Sequence, residues 1–355
     1  MGKNLGGKNG KTAVGKIARI AGGIFLALIL LILVLAAALL ILHASGKSSF
    51  ADRRKTEESA EVSRTVEDYE YDPLTERYNG KIYRYNESLT NFLIIGVDRA
   101  ELGAEEGIPG SGGQADVIIL AVLDEKNRTV SLISVDRNTM ASVETFDASG
   151  KSIGFSERQI TYSYAYGDGK EKSCALTSQS VSELFYGIPI HAYYALQMQA
   201  VEKVNDAVGG VKVTIPIDMS GIDESFTEGA QVTLLGSKVS MFLRARSTLE
   251  DSSNEARLSR HKIYLTSLIS AAKTAVKNDI SLPVKLYGDI APLCCTDLTT
   301  GEIVYLASLA TGLDVRYFSV SGSTDTSGTY DAFYPDYEKL YRLVLDIFYV
   351  CEDKP

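Results

Sequence analysis

The chain has 355 residues, of which 45% are hydrophobic and 23% charged, and its formal net charge is -9. This composition is typical of a folded globular protein and excludes a largely disordered chain. The acidic balance argues against nucleic acid as a partner, because such binding depends on basic side chains that neutralise phosphates.

A basic tail and a long apolar segment open the chain. Residues 1–19 contain five lysines and arginines and no acidic residue, and residues 20–42 contain no charge over 23 positions. A helix needs about 20 residues to cross a bilayer, whereas a cleaved signal peptide, the alternative, has a shorter apolar core. Since basic residues stay in the cytoplasm, the sequence predicts a single-pass protein of the cell membrane with its main domain extracytoplasmic. The predicted boundaries are a cytoplasmic tail at 1–19 and a transmembrane anchor at 20–43.

The region after the anchor changes from polar to apolar. Residues 44–89 mix both charges with little apolar periodicity, which predicts an extracytoplasmic stalk. The remaining residues, 90–355, are predicted to form one domain whose core lies within 90–275.

Strand and helix patterns alternate along this domain. Apolar runs at 92–95, 117–123 and 129–135 predict three strands, the last two joined as a hairpin. Helices are predicted over 176–186, from Met198 to the Gly209–Gly210 pair, over about 254–276 and over 337–349. The interleaved order predicts an α/β (α+β) sandwich, with a central mixed β-sheet flanked by helices and preceded by one transmembrane helix.

Several charged residues occur where predicted strands and helices end. Asp98 and Asp116 each lie where a loop meets an apolar strand, so they could share Mg²⁺, although a loop cap is the alternative. A guanidinium binds phosphate through paired hydrogen bonds, so converging arginines would suit a pyrophosphate, whereas ion pairs at the surface are the ordinary alternative. The arginines concerned, with a neighbouring histidine on the long helix, are Arg99, Arg137, Arg244, Arg246, Arg257, Arg260 and His261.

The order and spacing of these motifs are similar to those of the LytR-CpsA-Psr family of cell-wall proteins. The matching segments are residues 91–99 (NFLIIGVDR), 115–116, 134–138 (SVDRN), 164–167, 187–190, 204–211 and the arginines between 244 and 260. The resemblance implies a phosphotransferase that moves a glycopolymer, such as teichoic acid or capsule, from a polyprenyl-pyrophosphate carrier to peptidoglycan. It also implies that Asp98 and Asp116 hold Mg²⁺ and that the arginines named above bind the pyrophosphate.

The chain departs from the family pattern at five positions. Asp136, Arg137 and Asn138 stand where the family usually has Pro-Arg-Asp, and Thr161 replaces an Asn. Asn254 stands where the family has an Asp three residues before Arg257, and His261 replaces a Gln. Because an Asn cannot act as a general base, the catalytic set Arg137, Arg257 and Asn254 leaves two hypotheses open. The first is an active transferase, and the alternative is a degenerate module that binds polyprenyl pyrophosphate without turning it over.

A third role, in signalling or transcription, is disfavoured because a tail of 19 residues is too short to fold as a DNA-binding domain. The four cysteines, Cys174, Cys294, Cys295 and Cys351, match no metal-binding spacing, and we expect buried free thiols.

Overall fold

The structure is a computed structural model that describes residues 42–54, 75–97, 99, 102–103, 111–245, 254–279, 281–310 and 312–352. The predicted tail and almost all of the predicted anchor lie outside these residues. Within them, no helix combines the length and the apolar character that crossing a membrane requires.

A mixed six-stranded sheet forms the centre of the fold, in the order β11-β8-β3-β4-β5-β12. Its strands are β3 (Leu89–Val97), β4 (Ala115–Asp124), β5 (Thr129–Val135), β8 (Ala192–Gln197), β11 (Cys294–Thr296) and β12 (Asp314–Ser319). The pairs β3–β4, β4–β5 and β8–β11 are antiparallel, whereas β3–β8 and β5–β12 are parallel. The three predicted strands and the mixed sheet are therefore confirmed, and β12 shows that the segment after the long helix joins the same sheet.

Helices cover both faces of this sheet, which explains why β3 and β4 are continuous apolar runs without alternation. They are α1 (42–54), α2 (Thr161–Ala165), α3 (Glu171–Leu184), α4 (Met198–Ala207), α5 (Ser237–Arg244), α6 (Asn254–Asn278), α7 (Leu282–Ile290), α8 (Thr300–Ala310) and α9 (Tyr337–Phe348). Leu93 and Ile95 pack into one core with α3 and α9, whereas Phe92 and Ile94 face a second core with α6 and α8. The four predicted helices are confirmed as α3, α4, α6 and α9.

Smaller hairpins complete the domain. Their strands are β1 (Thr75–Tyr78), β2 (Lys81–Tyr85), β6 (Met140–Phe146), β7 (Ser152–Gln159), β9 (Val211–Thr214), β10 (Gln231–Leu234), β13 (Gly322–Asp325), β14 (Ala332–Pro335) and β15 (Tyr349–Cys351). Where α4 ends, Gly209 and Gly210 take positive φ values of 89° and 87°, a backbone conformation that favours glycine.

The stalk prediction is wrong for the described residues between 44 and 89. Helix α1 lies against the domain, with Phe50 1% exposed in the second core and the Arg53 guanidinium bound to Asp297 and Glu302. Strand β2 pairs with β15 at the C-terminal end of the chain. The polar composition did not predict these contacts, because one buried aromatic ring and one ion pair with a buried glutamate produce no periodic pattern of apolar residues. Residues 55–74 lie outside the described part of the structure.

A buried histidine fastens the start of β3 to the start of β8. The backbone N–H of Asn91 donates to the ring nitrogen Nδ1 of His191 at 2.9 Å, and the backbone N–H of His191 donates to the backbone carbonyl of Asn91 at 2.9 Å. Burial, together with the nearby positive charge of Arg54, lowers the pKa of His191 to about 4.

We expect His191 to make the fold sensitive to acid. The neutral ring is favoured in the folded state, so its contribution is complete above the unfolded pKa of about 6.5 and is lost as the pH falls towards 4. A shift from about 6.5 to about 4 corresponds to about 3 kcal/mol of unfolding free energy. Urea unfolding measured from pH 7 to pH 4 tests this. His191→Asn keeps an acceptor without a titrating group and is expected to flatten the pH dependence. An equally steep dependence in that variant would assign the acid sensitivity to other groups.

Candidate functional site

A cavity of about 280 Å³ lies between one face of the sheet and helices α4, α5 and α6. Its floor consists of two cross-strand pairs of β3 and β4, Gly96 with Val117 and Ile94 with Ile119. The walls are apolar and come from the end of β8 and from the three helices, through Leu196, Met198, Val201, Leu243, Tyr264 and Leu265. Such a lining suits a hydrocarbon chain.

Among the described residues that line this cavity, five have charged or imidazole side chains, and all five belong to the set predicted from the sequence. Four carry or can carry a positive charge and one is a carboxylate, namely Arg137, Arg244, Arg257, His261 and Asp116. They come from strand ends and from α5 and α6, elements that are far apart in sequence. The cavity therefore combines an apolar interior with a cluster of anion-binding groups.

Arg137 and Asp116 are held together by the backbone as well as by their charges. The Arg137 Nη1 group donates to Oδ1 of Asp116. Thr161 connects the two segments, because its N–H donates to the Arg137 carbonyl at 3.1 Å and its hydroxyl donates to the Ala115 carbonyl at 2.9 Å. The departure from the family pattern at Thr161 does not predict this role, since a bond between segments distant in sequence leaves no local signal.

Asp136, the acidic neighbour of Arg137, is bound within the turn that follows β5. It is 3% exposed, and its carboxylate accepts the Asn138 N–H at 2.8 Å. This contact stabilises the turn from which Arg137 extends.

Arg257 and His261 lie one turn apart on α6 and both line the cavity. Nε2 of His261 lies 3.3 Å from the Leu243 carbonyl oxygen. Because a carbonyl oxygen can only accept a hydrogen bond, this contact places a proton on Nε2, and a neutral ring would then carry its acceptor lone pair on Nδ1.

Two predicted phosphate ligands do not line this cavity in the described structure. Arg260 is 1% exposed and its Nη2 group donates to the Ala245 carbonyl at 2.5 Å, so its guanidinium connects α6 to the end of α5. Arg99 packs against Gly113, where an added Cβ would lie 2.6 Å from Arg99 Cδ. The cavity lining includes neither arginine. Helical spacing placed Arg257 and Arg260 on one face, but it could not show which of them is used in packing.

Asp98 and Arg246 lie outside the described residues, as does the side chain of Asn254, whose backbone begins α6. Among the described residues, no group of three or more His, Cys, Asp or Glu side chains could hold a metal ion. The roles assigned to all these residues stay predictions.

Gly96 is expected to be sensitive to substitution because the backbone of β3 comes close to β4 there. A Cβ at this position would lie 2.9 Å from Val117 Cβ. Gly96→Ala is expected to lower the unfolding free energy by about 1–3 kcal/mol through overpacking. Gly288→Ala is a matched control, since a Cβ there meets nothing within 4 Å. Equal unfolding midpoints of the two variants in urea would contradict the expectation.

Comparisons with known proteins agree with this architecture. The model of the LytR_cpsA_psr family matches residues 44–344. Teichoic acid transferase TagU of Bacillus cereus is 30% identical over 156 residues, covering 44% of this chain and 44% of that protein. TagV of Bacillus subtilis, also named a teichoic acid transferase, is 29% identical over 172 residues, covering 47% of this chain and 41% of that protein. The chain thus spans less than half the length of these curated relatives.

A solved structure shows the same fold. The crystal structure of B. subtilis TagV has a TM-score of 0.57 and 22% sequence identity, and the match covers 73% of this chain and 96% of that one. The resemblance drawn from the motifs is confirmed, and because the family model matches most of its length, the chain belongs to the LytR_cpsA_psr family.

Proposed function

We propose that this protein transfers a glycopolymer from a polyprenyl-pyrophosphate carrier to peptidoglycan, forming a phosphodiester. The observation that carries the proposal is the cavity, which joins apolar walls to Arg137, Arg244 and Arg257. The names of TagU and TagV describe transfer from a polyisoprenyl-linked teichoic acid to peptidoglycan, which supports the same class of substrate.

The two parts of the carrier match the two parts of the cavity. The prenyl tail would lie over the floor of β3 and β4, where burial of apolar surface favours binding. The pyrophosphate would lie against the arginines, whose guanidinium groups donate paired hydrogen bonds and stay charged at any physiological pH. Arg257 is only 7% exposed, and weak screening at such a position strengthens its attraction for an anion.

In the proposed step, an acceptor hydroxyl oxygen attacks the phosphorus that bears the glycopolymer. The bond from that phosphorus to the bridging oxygen breaks, and prenyl phosphate leaves with the bond's electron pair. The arginines stabilise the negative charge that develops on the leaving phosphate. His261 would accept the hydroxyl proton, a role that Asn254 cannot take because an amide is not basic.

Mg²⁺ is part of the same proposal. Asp116 is the one carboxylate among the described residues that line the cavity. Mg²⁺ is commonly held by one or two carboxylates together with substrate phosphate oxygens and water, so Asp116 beside the phosphate-binding arginines fits this ion. Asp116 and Asp98 would hold it, and the ion would offset phosphate charge.

We also propose that residues 20–43 anchor the protein in the cell membrane, with the domain on the extracytoplasmic side. The uncharged run and the basic tail before it support this placement. The carrier's prenyl tail lies in the same membrane, so an anchored domain would meet its substrate at the bilayer surface.

A second candidate function, a module that binds the carrier without transfer, is favoured by Asn254 at the position of the family's acid. The two functions differ in whether covalent product forms. The test uses the purified full chain, because residues 42–54 pack into the core. It is incubated with a polyprenyl-pyrophosphate oligosaccharide, Mg²⁺ and a peptidoglycan fragment, and covalent product is measured by mass spectrometry.

Product from the wild type is the expected result. Carrier binding without product, together with product from Asn254→Asp, would establish the binding module instead. Failure of the wild type to bind the carrier would contradict both functions.

A further inference from the structure

The sheet face that forms the cavity floor continues beyond the cavity towards α1. The next residue of β3 on this face after Ile94 is Phe92, which pairs with Ala121 of β4. Residues on the same face of a strand lie about 7 Å apart, so this pair begins one step beyond the floor. Phe92 and Ala121 are both buried and belong to the same core cluster as Ile119 of the floor.

Phe50 of α1 covers this pair. Its ring centroid lies 5.5 Å from that of Phe92, in an edge-to-face arrangement with an interplanar angle of 87°, and 5.9 Å from that of Tyr305 on α8. Ala121 has only a methyl group, so β4 fills little of this space, and the ring of Phe50 occupies it beside that of Phe92. Together with Phe92, Phe50 and Tyr305 form an aromatic cluster one step beyond the floor, here called the aromatic wall.

The wall is fixed because α1 is held tightly to α8 on both sides of Phe50. An added Cβ on Gly46 would lie 2.1 Å from the Gly301 carbonyl oxygen, so the two backbones are in direct contact. On the other side, Arg53 Nε donates to Glu302 at 2.7 Å. These contacts hold the α1 backbone against α8 on both sides of Phe50.

We propose that Phe50 determines how much of a prenyl chain the cavity accepts, by closing its inner end. This inference rests on the proposed function, since it concerns the tail of the same carrier. A chain entering from the arginine cluster passes over the floor and meets the aromatic wall. Isoprene units beyond the aromatic wall bury no further apolar surface in the cavity. A specificity residue for tail length is thus supplied by the segment that the sequence predicts as a stalk.

Binding of short prenyl diphosphates to the full chain tests the proposal. Geranyl, farnesyl and geranylgeranyl diphosphate differ by one isoprene unit each, and inorganic pyrophosphate serves as the reference without a tail. Wild-type affinity is expected to rise with each unit until the cavity is filled and then to level off. Phe50→Ala is expected to move that point to a chain at least one unit longer, with roughly tenfold or more tighter binding of that chain, because further methylenes become buried.

Two further variants separate this effect from general loosening of the core. Ile94→Phe fills the floor and is expected to move the levelling-off point to a shorter chain. Phe348→Ala removes an equally buried ring from the core on the opposite face of the sheet and is expected to leave length dependence unchanged. Phe50→Leu shrinks the ring while keeping an apolar contact, so it serves if the alanine variant does not fold.

The outcomes distinguish this inference from the proposed function. An unchanged length dependence in both Phe50 variants would overturn the role of Phe50 and leave the carrier-binding function standing. If prenyl diphosphates bind the wild type no more tightly than pyrophosphate does, the cavity does not take a prenyl tail, and the proposed function is overturned together with this inference.

Discussion

Replacing Arg137 with alanine is expected to reduce glycopolymer transfer by about 10²–10³-fold, the usual effect of removing one preorganised charge-stabilising donor. Arg137 lines the cavity from the turn after β5, and Thr161 holds its backbone beside the segment that carries Asp116. Most of the loss is expected in kcat, because negative charge on the phosphates increases in the transition state. Transfer is measured as covalent product per unit time at saturating carrier.

Two controls accompany the Arg137 variant. Arg137→Lys keeps the charge without the paired donors and is expected to fall between wild type and alanine. Arg316→Ala removes an exposed arginine, whose Nε lies 3.8 Å from Oδ2 of Asp314. This variant is expected to leave the transfer rate unchanged. If Arg137→Ala transfers at the wild-type rate while Arg244→Ala and Arg257→Ala lose transfer activity, the reacting phosphate is bound by Arg244 and Arg257 and not by Arg137.

Replacing Arg53 with alanine is expected to lower the unfolding free energy by about 3–5 kcal/mol, the usual effect of removing one partner of a buried ion pair. The Glu302 side chain is 0% exposed, and Arg53 Nε binds it at 2.7 Å. Burial opposes ionisation of Glu302, but hydrogen bonds from Arg53, Thr299 and Ser49 outweigh it and lower the pKa of this carboxyl group. Without Arg53, a carboxylate remains buried with weaker partners. Urea unfolding of the full chain measures the loss.

The matched control is Arg84→Ala, which breaks an ion pair with Glu352 at the surface, at 2.6 Å. Such exposed pairs contribute about 0–1 kcal/mol, so this variant is expected to unfold close to the wild type. The double variant Arg53→Ala with Glu302→Gln is expected to recover part of the stability, because no charge is then left buried. If Arg53→Ala loses as little unfolding free energy as Arg84→Ala does, the contacts of α1 contribute little to the stability of the fold.

The sequence by itself predicted three of the six strands of the central sheet and five side chains that the structure places in the cavity lining. Three strands, four helices and the mixed sheet could be predicted because continuous apolar runs and 3.6-residue periodicity are local properties of the chain. The cavity lining contains five residues predicted from strand ends and helix faces, and each of them is polar. The family resemblance rested on the order of the same motifs.

Only the tertiary structure decided how individual side chains are used. Arg257 and Arg260 share a helical face in sequence, yet the first lines the cavity and the second donates to the Ala245 carbonyl. Arg53 and Glu302 are separated by 249 positions, and no local pattern connects them. Whether a charged residue binds substrate, closes a turn or docks a helix depends on groups that approach it from distant parts of the chain. Burial then decides the outcome, because a charge removed from water must find a partner there.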